Sequence, residues 1–381
     1  DTTIDGFSHT HLSGTGCADL ADILFHPTTR EIVLHDGACV LQPYFFSHDD
    51  ERASCGYYAV TLPDVNIGVE LTAAPRTGVH RYTFAGKGPR RVIVDLLHTV
   101  TEEKIDLCEL RRTAPYELAG MRRTQGWVPD QYVFFAARFS EPFADVQLDF
   151  DAVHARAVGQ WRKALGDIVV EGGSRDEMTN FYTAQYHTKL TPNLMNDVNG
   201  EYRRHDPPDA RKPEGKSYYS TFSLWDTFRA WNPLQTLVDT ALVNDMIRSM
   251  LDMYDSTGEL PIWPLASGET GTMIGYHAVS VIADAYLKGI RGYDADKALE
   301  AMIRSSNINK KGSDYYTAQG YIPSNIKRES VSCTLEYAYD DWAIARMAQA
   351  MGRDDVFGEY ARRALNYVNV FDGSICFFRG R

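Results

Sequence analysis

Two segments of the sequence place a carboxylate beside tryptophan rings. One contains Trp225 followed directly by Asp226. The other carries Trp263 in the run Pro-Ile-Trp-Pro (residues 261–264, called the Pro-Trp-Pro run below), with Glu269 six residues after Trp263. A sugar ring presents apolar patches that pack on an aromatic ring and hydroxyl groups that donate to charged acceptors. We therefore interpret Trp225, Asp226, Trp263 and Glu269 as candidate ligands of a sugar.

Each of these carboxylates also has an ordinary structural explanation. Asp226 and Arg229 are spaced i, i+3, so they could form a surface pair worth only tenths of a kcal/mol. Glu269 precedes an expected helix start, where a negative charge interacts favourably with the helix dipole. A Pro-Trp-Pro run cannot lie inside a helix, so this segment must be a rigid loop.

A third acidic segment, 334–342, carries Glu336 and Asp340 among Tyr and Trp residues. Their i, i+4 spacing places both carboxylates on one face of a helix. They could bind a cation, or act as acid and base across a cleft. The alternative is a buried network satisfied by Tyr and Trp donors.

The segment Gly6–Gly16 is rich in Gly, Ser and Thr and contains His9 and His11. Two histidines at i, i+2 point to the same side of a strand and could bind a metal ion or a sugar hydroxyl. The alternative is a polar loop in which both histidines are structural.

Composition excludes several classes of function. The chain has 381 residues, with 39 Lys and Arg against 51 Asp and Glu, which gives a formal net charge of −12. This balance argues against a nucleic-acid partner. No apolar run is long enough to span a membrane. The six cysteines form no CxxC pair, and no P-loop, dinucleotide fingerprint or Gly-x-Ser-x-Gly motif occurs, so the residue chemistry favours carboxylate-based hydrolysis or plain binding.

The elements that must position these residues change in type along the chain. Residues 1–150 predict an antiparallel β-sandwich, because short β-branched and aromatic runs recur between turn signals. Examples of the predicted strands are Glu31–Leu34, Tyr57–Leu62, Ile67–Leu71, Val79–Phe84, Arg91–Leu96, Tyr132–Phe139 and Ala144–Phe150.

Residues 151–170 predict a linker helix, and residues 171–381 predict paired helices without intervening strands, as in part of a helical barrel. We expect a long surface loop over Asn199–Lys216, which is polar and proline-rich. The predicted helices are Asp176–Leu190, Thr221–Trp231, Leu234–Asp255, Thr272–Lys288, Asp294–Ser305, Thr334–Met351 and Asp354–Val370.

These motifs together resemble the family 92 glycoside hydrolases, in family order and over nearly the whole chain. The matching stretches include Gly6–Gly16, Leu71–Arg76, Ser223–Arg229, Leu260–Leu265, Glu269–Ala278, Gly320–Pro323 and Ser330–Trp342. A departure is Gly268, where the family commonly has Asn or another residue before the Glu.

The resemblance implies a β-sandwich followed by an (α/α)6 barrel, and exo-acting, inverting, calcium-dependent hydrolysis of α-mannosides, as in N-glycan degradation. It implies a mannose-containing glycan as the substrate, and a secreted, periplasmic or cell-surface location. In this picture Trp225, Asp226, Glu269 and Trp263 line the pocket for the terminal mannose, and His9 and His11 form its mouth. The alternatives are a carbohydrate-binding scaffold without catalysis and a trehalase-like or phosphorylase-like barrel glycosidase.

The family's general acid lies in a Gly-Asn-Glu-Pro stretch and its base in an Asp-Asp-Gly-Gly-Gln stretch, neither of which occurs here. We expect both beyond Arg381, and strands preceding Gly6. The chain is thus expected to be a segment that lacks the C-terminal part of the enzyme, which leaves no catalytic residue and no metal ligand to assign in it. An incomplete barrel would expose apolar helix faces that the missing C-terminal segment would cover.

Overall fold

The computed structural model of the protein describes residues 2–12, 14, 16–35, 38–101, 103–140, 150–197, 199–204, 210–211, 217–308 and 310–381. The chain divides into two compact units, Asp1–Lys189 and Leu190–Arg381. The first is built mainly from strands and the second mainly from helices, as the sequence predicts.

The strands of the first unit pair only in antiparallel fashion where the structure describes them. The larger sheets have the strand orders β6-β7-β8-β9 and β11-β12-β13, and β10 pairs with β2. The strands are β1 (Thr3–Ile4), β2 (Leu24–Thr28), β3 (Leu34–His35), β4 (Ala38–Cys39), β5 (Tyr44–Phe45), β6 (Glu51–Ser54), β7 (Tyr57–Leu62), β8 (Ile67–Ala74), β9 (Thr77–Phe84), β10 (Arg91–Asp95), β11 (Lys104–Ala114), β12 (Glu117–Gln125) and β13 (Gln131–Arg138).

The alternating pattern of β7 and β8 explains their place in the core. Val60, Leu62, Ile67 and Val69 are buried together with Tyr44, while the intervening residues of both strands are more exposed. This is the period of two that a half-buried sheet requires. The buried side chains of β7 and β8 therefore form a core on one face of the four-stranded sheet.

Two helices complete the first unit, α1 (Phe150–Ala164) and α2 (Arg175–His187). The helix α2 begins with a capping box, in which the Ser174 hydroxyl accepts from the Glu177 amide and the Glu177 carboxylate accepts from the Ser174 amide.

The second unit packs its helices around α5, α6 and α9. Its core contains Met246, Ile247, Ile282, Ile344 and Met347, all fully or almost fully buried. The helices are α3 (Leu224–Thr227), α4 (Trp231–Val238), α5 (Thr240–Thr257), α6 (Ala278–Leu287), α7 (Ala295–Ser306), α8 (Ser313–Gln319), α9 (Ser330–Ala350) and α10 (Asp354–Arg363), followed by a 3-10 helix, Ala364–Val370.

The prediction of helices without intervening strands was wrong, because short antiparallel strand pairs lie between and after these helices. The strand β14 pairs with β17, β15 with β16, β18 with β19 and β20 with β21. Their bounds are β14 (Asn193–Leu194), β15 (Tyr202–Arg203), β16 (Ala210–Arg211), β17 (Tyr219–Ser220), β18 (Pro264–Leu265), β19 (Gly268–Glu269), β20 (Phe371–Asp372) and β21 (Phe377–Phe378).

Several predicted elements need correction. The predicted helix Thr221–Trp231 is the single turn α3, and α4 starts at Trp231 with Pro233 in its first turn. Proline is tolerated there because the first amides of a helix have no partner within it. The predicted helix Leu234–Asp255 is broken at Asp239, whose side chain caps α5.

Other differences concern omitted or misplaced elements. The elements that the sequence prediction did not name include β2, β11, β12 and α8, and α6 begins at Ala278 rather than at Thr272. The predicted strand Ala144–Phe150 and much of the predicted loop Asn199–Lys216 lie outside the described residues.

Candidate active site

A row of alternating charges runs from the surface of the second unit into its core. Arg229 Nη2 donates to Glu336 Oε1 at 3.2 Å, and Glu336 Oε2 lies 3.1 Å from His277 Nε2. His277 Nδ1 lies 2.8 Å from Asp340 Oδ1. The Phe228 ring stacks on the imidazole with a centroid separation of 4.1 Å and an interplanar angle of 11°. The imidazole is therefore clamped between two carboxylates and covered by an aromatic ring.

Local backbone geometry delivers His277 to this position. The residue immediately precedes α6, and Gly275 before it has a φ of +80°. A β-carbon at Gly275 would lie only 2.5 Å from His277 Nε2, so glycine is required by both space and backbone conformation. The Tyr276 amide donates to Asp340 Oδ2 at 2.7 Å, which ties the start of α6 to α9.

The two carboxylates determine the charge of His277. Burial alone would lower the pKa of His277, but Asp340 and Glu336 outweigh it and raise the pKa to about 9. Burial also raises the pKa of Asp340, against the opposing effect of His277. Burial would raise the pKa of Glu336, but His277 and Arg229 hold it below its usual range. At neutral pH the arrangement therefore contains an imidazolium and an ionised Glu336.

A neighbouring carboxylate, Asp341, belongs to a separate buried network. It accepts hydrogen bonds from the Tyr276 hydroxyl (2.8 Å), the Tyr316 hydroxyl (2.8 Å) and Arg363 Nε (2.9 Å). Burial raises its pKa to about 6, against the influence of Arg363. Because its oxygens are occupied by donors from α8, α10 and the start of α6, this carboxylate holds the helices together.

The outer end of the charged row is aromatic. The Arg229 guanidinium lies over the rings of Trp225 and Phe228, at 5.2 and 4.4 Å from their centroids. Trp225 Nε1 is buried and has no hydrogen-bond partner among the described residues. Asp226 is exposed, and its carboxylate accepts a hydrogen bond from the Ser223 hydroxyl. The described contacts of Arg229 go to Glu336, not to Asp226, so the i, i+3 surface pair is not what Arg229 makes here.

The Pro-Trp-Pro loop is held by Glu269. Its carboxylate accepts hydrogen bonds from the amides of Ile262 (2.9 Å), Trp263 (3.0 Å) and Gly271 (2.6 Å). Burial raises the pKa of Glu269, and these three donors oppose the rise. The Trp263 side chain is buried. Glu269 and Trp263 therefore come together in this loop, and their role in binding a sugar stays a prediction.

The histidine loop lies in the first unit and is packed on a third histidine. His9 Nδ1 bonds the Ile23 carbonyl at 3.2 Å, and His9 stacks on His80 with a centroid separation of 4.8 Å. Burial, followed by the neighbouring His9, lowers the pKa of His80 to about 3. His11 Nε2 lies 2.7 Å from the Ser8 hydroxyl. Both predicted histidines therefore already contact other groups of their own unit.

A buried ionic cluster contacts the same histidine loop through Thr10. The Asp22 carboxylate accepts from the Thr10 hydroxyl and from Gln131 Nε2, and it pairs with Arg122 at 2.7 Å. Arg122 also pairs with Glu103 at 3.2 Å, and all three charged side chains are fully buried.

Backbone strain accompanies this cluster. Leu20, Ala21 and Ile23 adopt positive φ angles of 71°, 60° and 54°, which are unusual for residues other than glycine, especially for β-branched isoleucine. Such strain persists only where surrounding contacts over-determine the backbone. Asp22, between these residues, supplies those contacts.

Comparisons with known proteins identify the family. Residues 140–381 match the glycosyl hydrolase family 92 catalytic domain, and residues 1–171 match the family 92 N-terminal domain. The chain belongs to glycosyl hydrolase family 92. A family GH92 alpha-mannosidase from Bacteroides thetaiotaomicron, solved in complex with mannoimidazole, is 33% identical with a TM-score of 0.93 over the whole of this chain. A family GH92 inverting mannosidase from the same organism is 26% identical, with a TM-score of 0.83.

The family 92 chain spans only part of these relatives. It covers 59% of each of the two mannosidase chains. It is also 24% identical over 242 residues to an uncharacterized secreted glycosidase of Arthroderma benhamiae, and covers 27% of that protein. The comparisons confirm the resemblance seen in the sequence, together with a fold whose N-terminal part is β-rich and whose C-terminal part is helical.

The described residues supply no cluster of acidic side chains that can be assigned to a calcium ion. Calcium takes six to eight oxygen ligands. Within the part of the chain that the structure describes, no three His, Cys, Asp or Glu side chains are grouped so that they could hold a metal ion. The carboxylates of Glu336 and Asp340 face His277 instead. We therefore assign no metal ligand in this chain and derive no chemical step through the ion.

The sequence interpretation missed His277 and the partner of Arg229. The i, i+4 spacing of Glu336 and Asp340 correctly indicated a shared helix face. Asp340 does lie in a buried network, but its donors are the His277 ring and the Tyr276 amide rather than Tyr and Trp side chains. The imidazole between them comes from 63 residues away from Asp340, so no local pattern could indicate it. The meeting of His9 and His11 with Trp225, Asp226, Glu269 and Trp263 stays a prediction.

Proposed function

We propose that the longer protein containing this family 92 chain is an exo-acting α-mannosidase that hydrolyses mannose-containing glycans, such as N-glycans, with inversion. The observation that carries the proposal is the match of the whole chain, at 33% identity and a TM-score of 0.93, to an alpha-mannosidase solved with mannoimidazole. The inverting mannosidase with 26% identity supports the stereochemical part.

We propose that the chain supplies part of the pocket for the terminal mannose. Trp225 would pack against the apolar face of the sugar, and its buried Nε1 donor would gain an acceptor. Asp226, exposed beside it, would accept hydrogen bonds from outer hydroxyls. Charge-assisted hydrogen bonds of this kind are about twice as strong as neutral ones.

The chemistry itself is proposed to need groups outside this chain. Inversion requires two carboxyl groups roughly 6.5–9.5 Å apart, with a water between one of them and the anomeric carbon. We place the general acid, the general base and the calcium ligands in the remainder of the longer protein. There, calcium would grip two neighbouring hydroxyls of the sugar.

One assay tests the reaction, its stereochemistry and the metal together. The full-length protein is incubated with an aryl α-mannoside, and proton NMR identifies the anomer formed first. We expect β-mannose as the first product, no turnover of the matched aryl α-glucoside, and loss of activity with a chelator that added calcium restores. First formation of α-mannose would refute inversion, and activity unaffected by chelation would refute the calcium requirement.

The exposed apolar side chains of the second unit support a proposed C-terminal partner segment. Leu365, Val368, Phe371, Ile375 and Phe377 are all exposed near its end. Apolar patches of this kind mark surfaces that other protein covers. We propose that the remainder of the longer protein packs here and completes the barrel. Residues 1–381 alone should then bind a hydrophobic dye such as ANS strongly, and the full-length protein should not. Equal dye binding would contradict this proposal.

We also propose a secreted, periplasmic or cell-surface location, supported by the similarity to a glycosidase that is named as secreted. None of the described helices is long and apolar enough to cross a membrane. Fractionation of the producing cells, with immunodetection of the protein, tests the location. Recovery only from the cytoplasm would contradict it.

A further inference from the structure

The hydrogen-bonding capacity of an imidazole determines what can lie between two carboxylates. A neutral imidazole has one N–H donor and one acceptor nitrogen, whereas the imidazolium has two donors. His277 Nδ1 forms a hydrogen bond to Asp340 Oδ1 at 2.8 Å, whereas Nε2 lies 3.1 Å from Glu336 Oε2 in an ion-pair contact that lacks hydrogen-bond geometry. A neutral ring would turn a lone pair towards one of the two carboxylates. The geometry therefore favours the cation, in agreement with the raised pKa.

The two carboxylates differ in their access to a ligand. Asp340 is fully buried and also accepts from the Tyr276 amide. The Glu336 side chain keeps 18% exposure, and its second oxygen takes a donor from Arg229, whose side chain is 49% exposed. A carboxylate has about four lone-pair directions, so Glu336 retains acceptor capacity on its outer side. The Asp340 carboxylate therefore anchors the imidazolium, and the Glu336 carboxylate lies next to Arg229, which contacts the Trp225 and Phe228 rings.

Arg229 connects this pair to Trp225. Its guanidinium covers the Trp225 ring and pairs with Glu336. The buried Nε1 of Trp225 still has no acceptor among the described residues. The unsatisfied Trp225 donor and the Glu336 carboxylate, which share Arg229 as a neighbour, suit a polyhydroxylated ligand, because such a ligand both donates and accepts hydrogen bonds.

We propose that His277 is a positioning residue, which holds the carboxylate of Glu336, and through it Arg229, in the geometry that binds the hydroxyls of the terminal mannose beside Trp225. The inference rests on the proposed α-mannosidase function and names a residue that does not itself touch the sugar. A further ionisable group beside the ring, in addition to Glu336 and Asp340, is the Tyr339 phenol, with a ring centroid 6.4 Å away. Burial raises the pKa of Tyr339, so the phenol stays neutral through the range in which His277 titrates.

The pH dependence follows from the sign of the shift. The pKa of His277 is raised to about 9 in the folded protein, so the imidazolium is present below that pH and lost above it. Mannoside affinity should therefore be constant from pH 6 to 8 and fall as the pH passes about 9. Without His277, this alkaline loss should disappear, and affinity at pH 7 should already be lower by about ten-fold or more.

The experiment uses the full-length protein and two readouts. Nitrogen-15 NMR follows the His277 ring, assigned by its absence in His277→Gln, and calorimetry measures binding of methyl α-thiomannoside, a glycoside that resists hydrolysis. The matched control is His48→Gln. His48 also pairs with a glutamate, because its Nδ1 lies 2.6 Å from Glu51 Oε2, but the His48 side chain is 70% exposed. We expect His277 to carry two protons at pH 7.5, and only His277→Gln to weaken binding.

The outcomes separate this inference from the function on which it rests. If the wild-type protein binds no mannoside, the proposed function fails, whereas the NMR titration still reports the charge of His277. A His277 that is neutral at pH 7, or a folded His277→Gln variant that binds the thiomannoside like wild type, overturns the positioning role. If His277→Gln does not fold, Glu336→Gln replaces it. That variant should lower both the pKa of His277 and mannoside affinity, and unchanged affinity would again overturn the inference.

Discussion

Substituting Arg122 by methionine would leave two carboxylates in the interior of the first unit without their cation. Arg122 pairs with Asp22 at 2.7 Å and with Glu103 at 3.2 Å, and all three side chains are fully buried. Breaking a buried ion pair by removing one partner costs about 3–5 kcal/mol, because the remaining charge is desolvated and unpaired. Since a domain is stable by only about 5–15 kcal/mol, Arg122→Met should cost the first unit a large part of its stability.

The neighbouring residue provides the matched control. Arg123 pairs with Asp130 at 2.7 Å, but both side chains are about one-third exposed, at 34% and 36%. Exposed pairs of this kind contribute about 0.2–1 kcal/mol. Arg123→Met removes the same charge from the same strand, so the difference between the two variants isolates the effect of burial. Hydrogen exchange of the β12 amides measures the effect in the first unit without contribution from the second.

The pH dependence of the loss gives a second check. Burial, followed by the neighbouring Asp19, raises the pKa of Glu103 in the intact protein, with Arg122 opposing the rise. Without Arg122 the pKa of Glu103 should rise further, so the folded variant would take up a proton as the pH falls. The deficit relative to wild type should therefore be largest near pH 8 and smaller near pH 5. Equal losses of less than about 1 kcal/mol in the Arg122 and Arg123 variants would refute the reasoning.

Three further predictions concern single carboxylates and one histidine. Asp226→Asn in the full-length protein should lower kcat/KM for an aryl α-mannoside by about 10- to 150-fold. The control is Asp314→Asn, which changes another exposed aspartate in the first turn of a short helix and should leave kcat/KM unchanged. Equal kcat/KM values for the two variants would show that Asp226 does not line the pocket. Glu269→Gln should destabilise the loop by about 1–3 kcal/mol, because a carboxylate with three amide donors is lost; unchanged hydrogen exchange over residues 260–271 would contradict this role. His80→Phe keeps an aromatic ring against His9 but removes a base whose pKa is lowered to about 3. The free energy of unfolding of this variant should therefore fall less steeply than that of the wild type as the pH drops from 6.5 towards 3. The same pH dependence in both proteins would contradict the buried neutral state of His80.

The β-rich start and helical continuation of the chain could be predicted because periodicity reports burial directly. The strand β7 has the predicted bounds, whereas β8 extends three residues beyond the predicted strand Ile67–Leu71 and β9 begins two residues before the predicted strand Val79–Phe84. The strands β11 and β12 were missed because their sequences, rich in Arg and Glu and lacking a clean alternation, carry little apolar signal. Their stability comes from pairing along nine registered positions of one long antiparallel ladder, which is a property of two segments rather than of either one.

The candidate site divides in the same way. Residue types on one helix face, such as Glu336 and Asp340, could be read from i, i+4 spacing. His277, which lies between these two carboxylates, could not be predicted in this way, because its position depends on how α6 packs against α9. The Arg229 pairing shows the same limit. The sequence offered Asp226 at i−3 as the partner, whereas the fold offered Glu336 more than one hundred residues away.

Glu269 and Glu336 show why an acidic residue beside aromatic rings has two different meanings. The Pro-Trp-Pro loop forms no helix, and its amides at Ile262 and Trp263 need an acceptor once the loop is buried. Glu269 is that acceptor, and with the Gly271 amide its oxygens are directed into the loop. Glu336 sits on a helix whose amides are already paired within the helix, so its oxygens remain available for His277, Arg229 and a ligand. A carboxylate near an irregular, buried loop should therefore be assigned first to the amides of that loop. A carboxylate within a helix, such as Glu336, should be assigned first to a side-chain partner or a ligand.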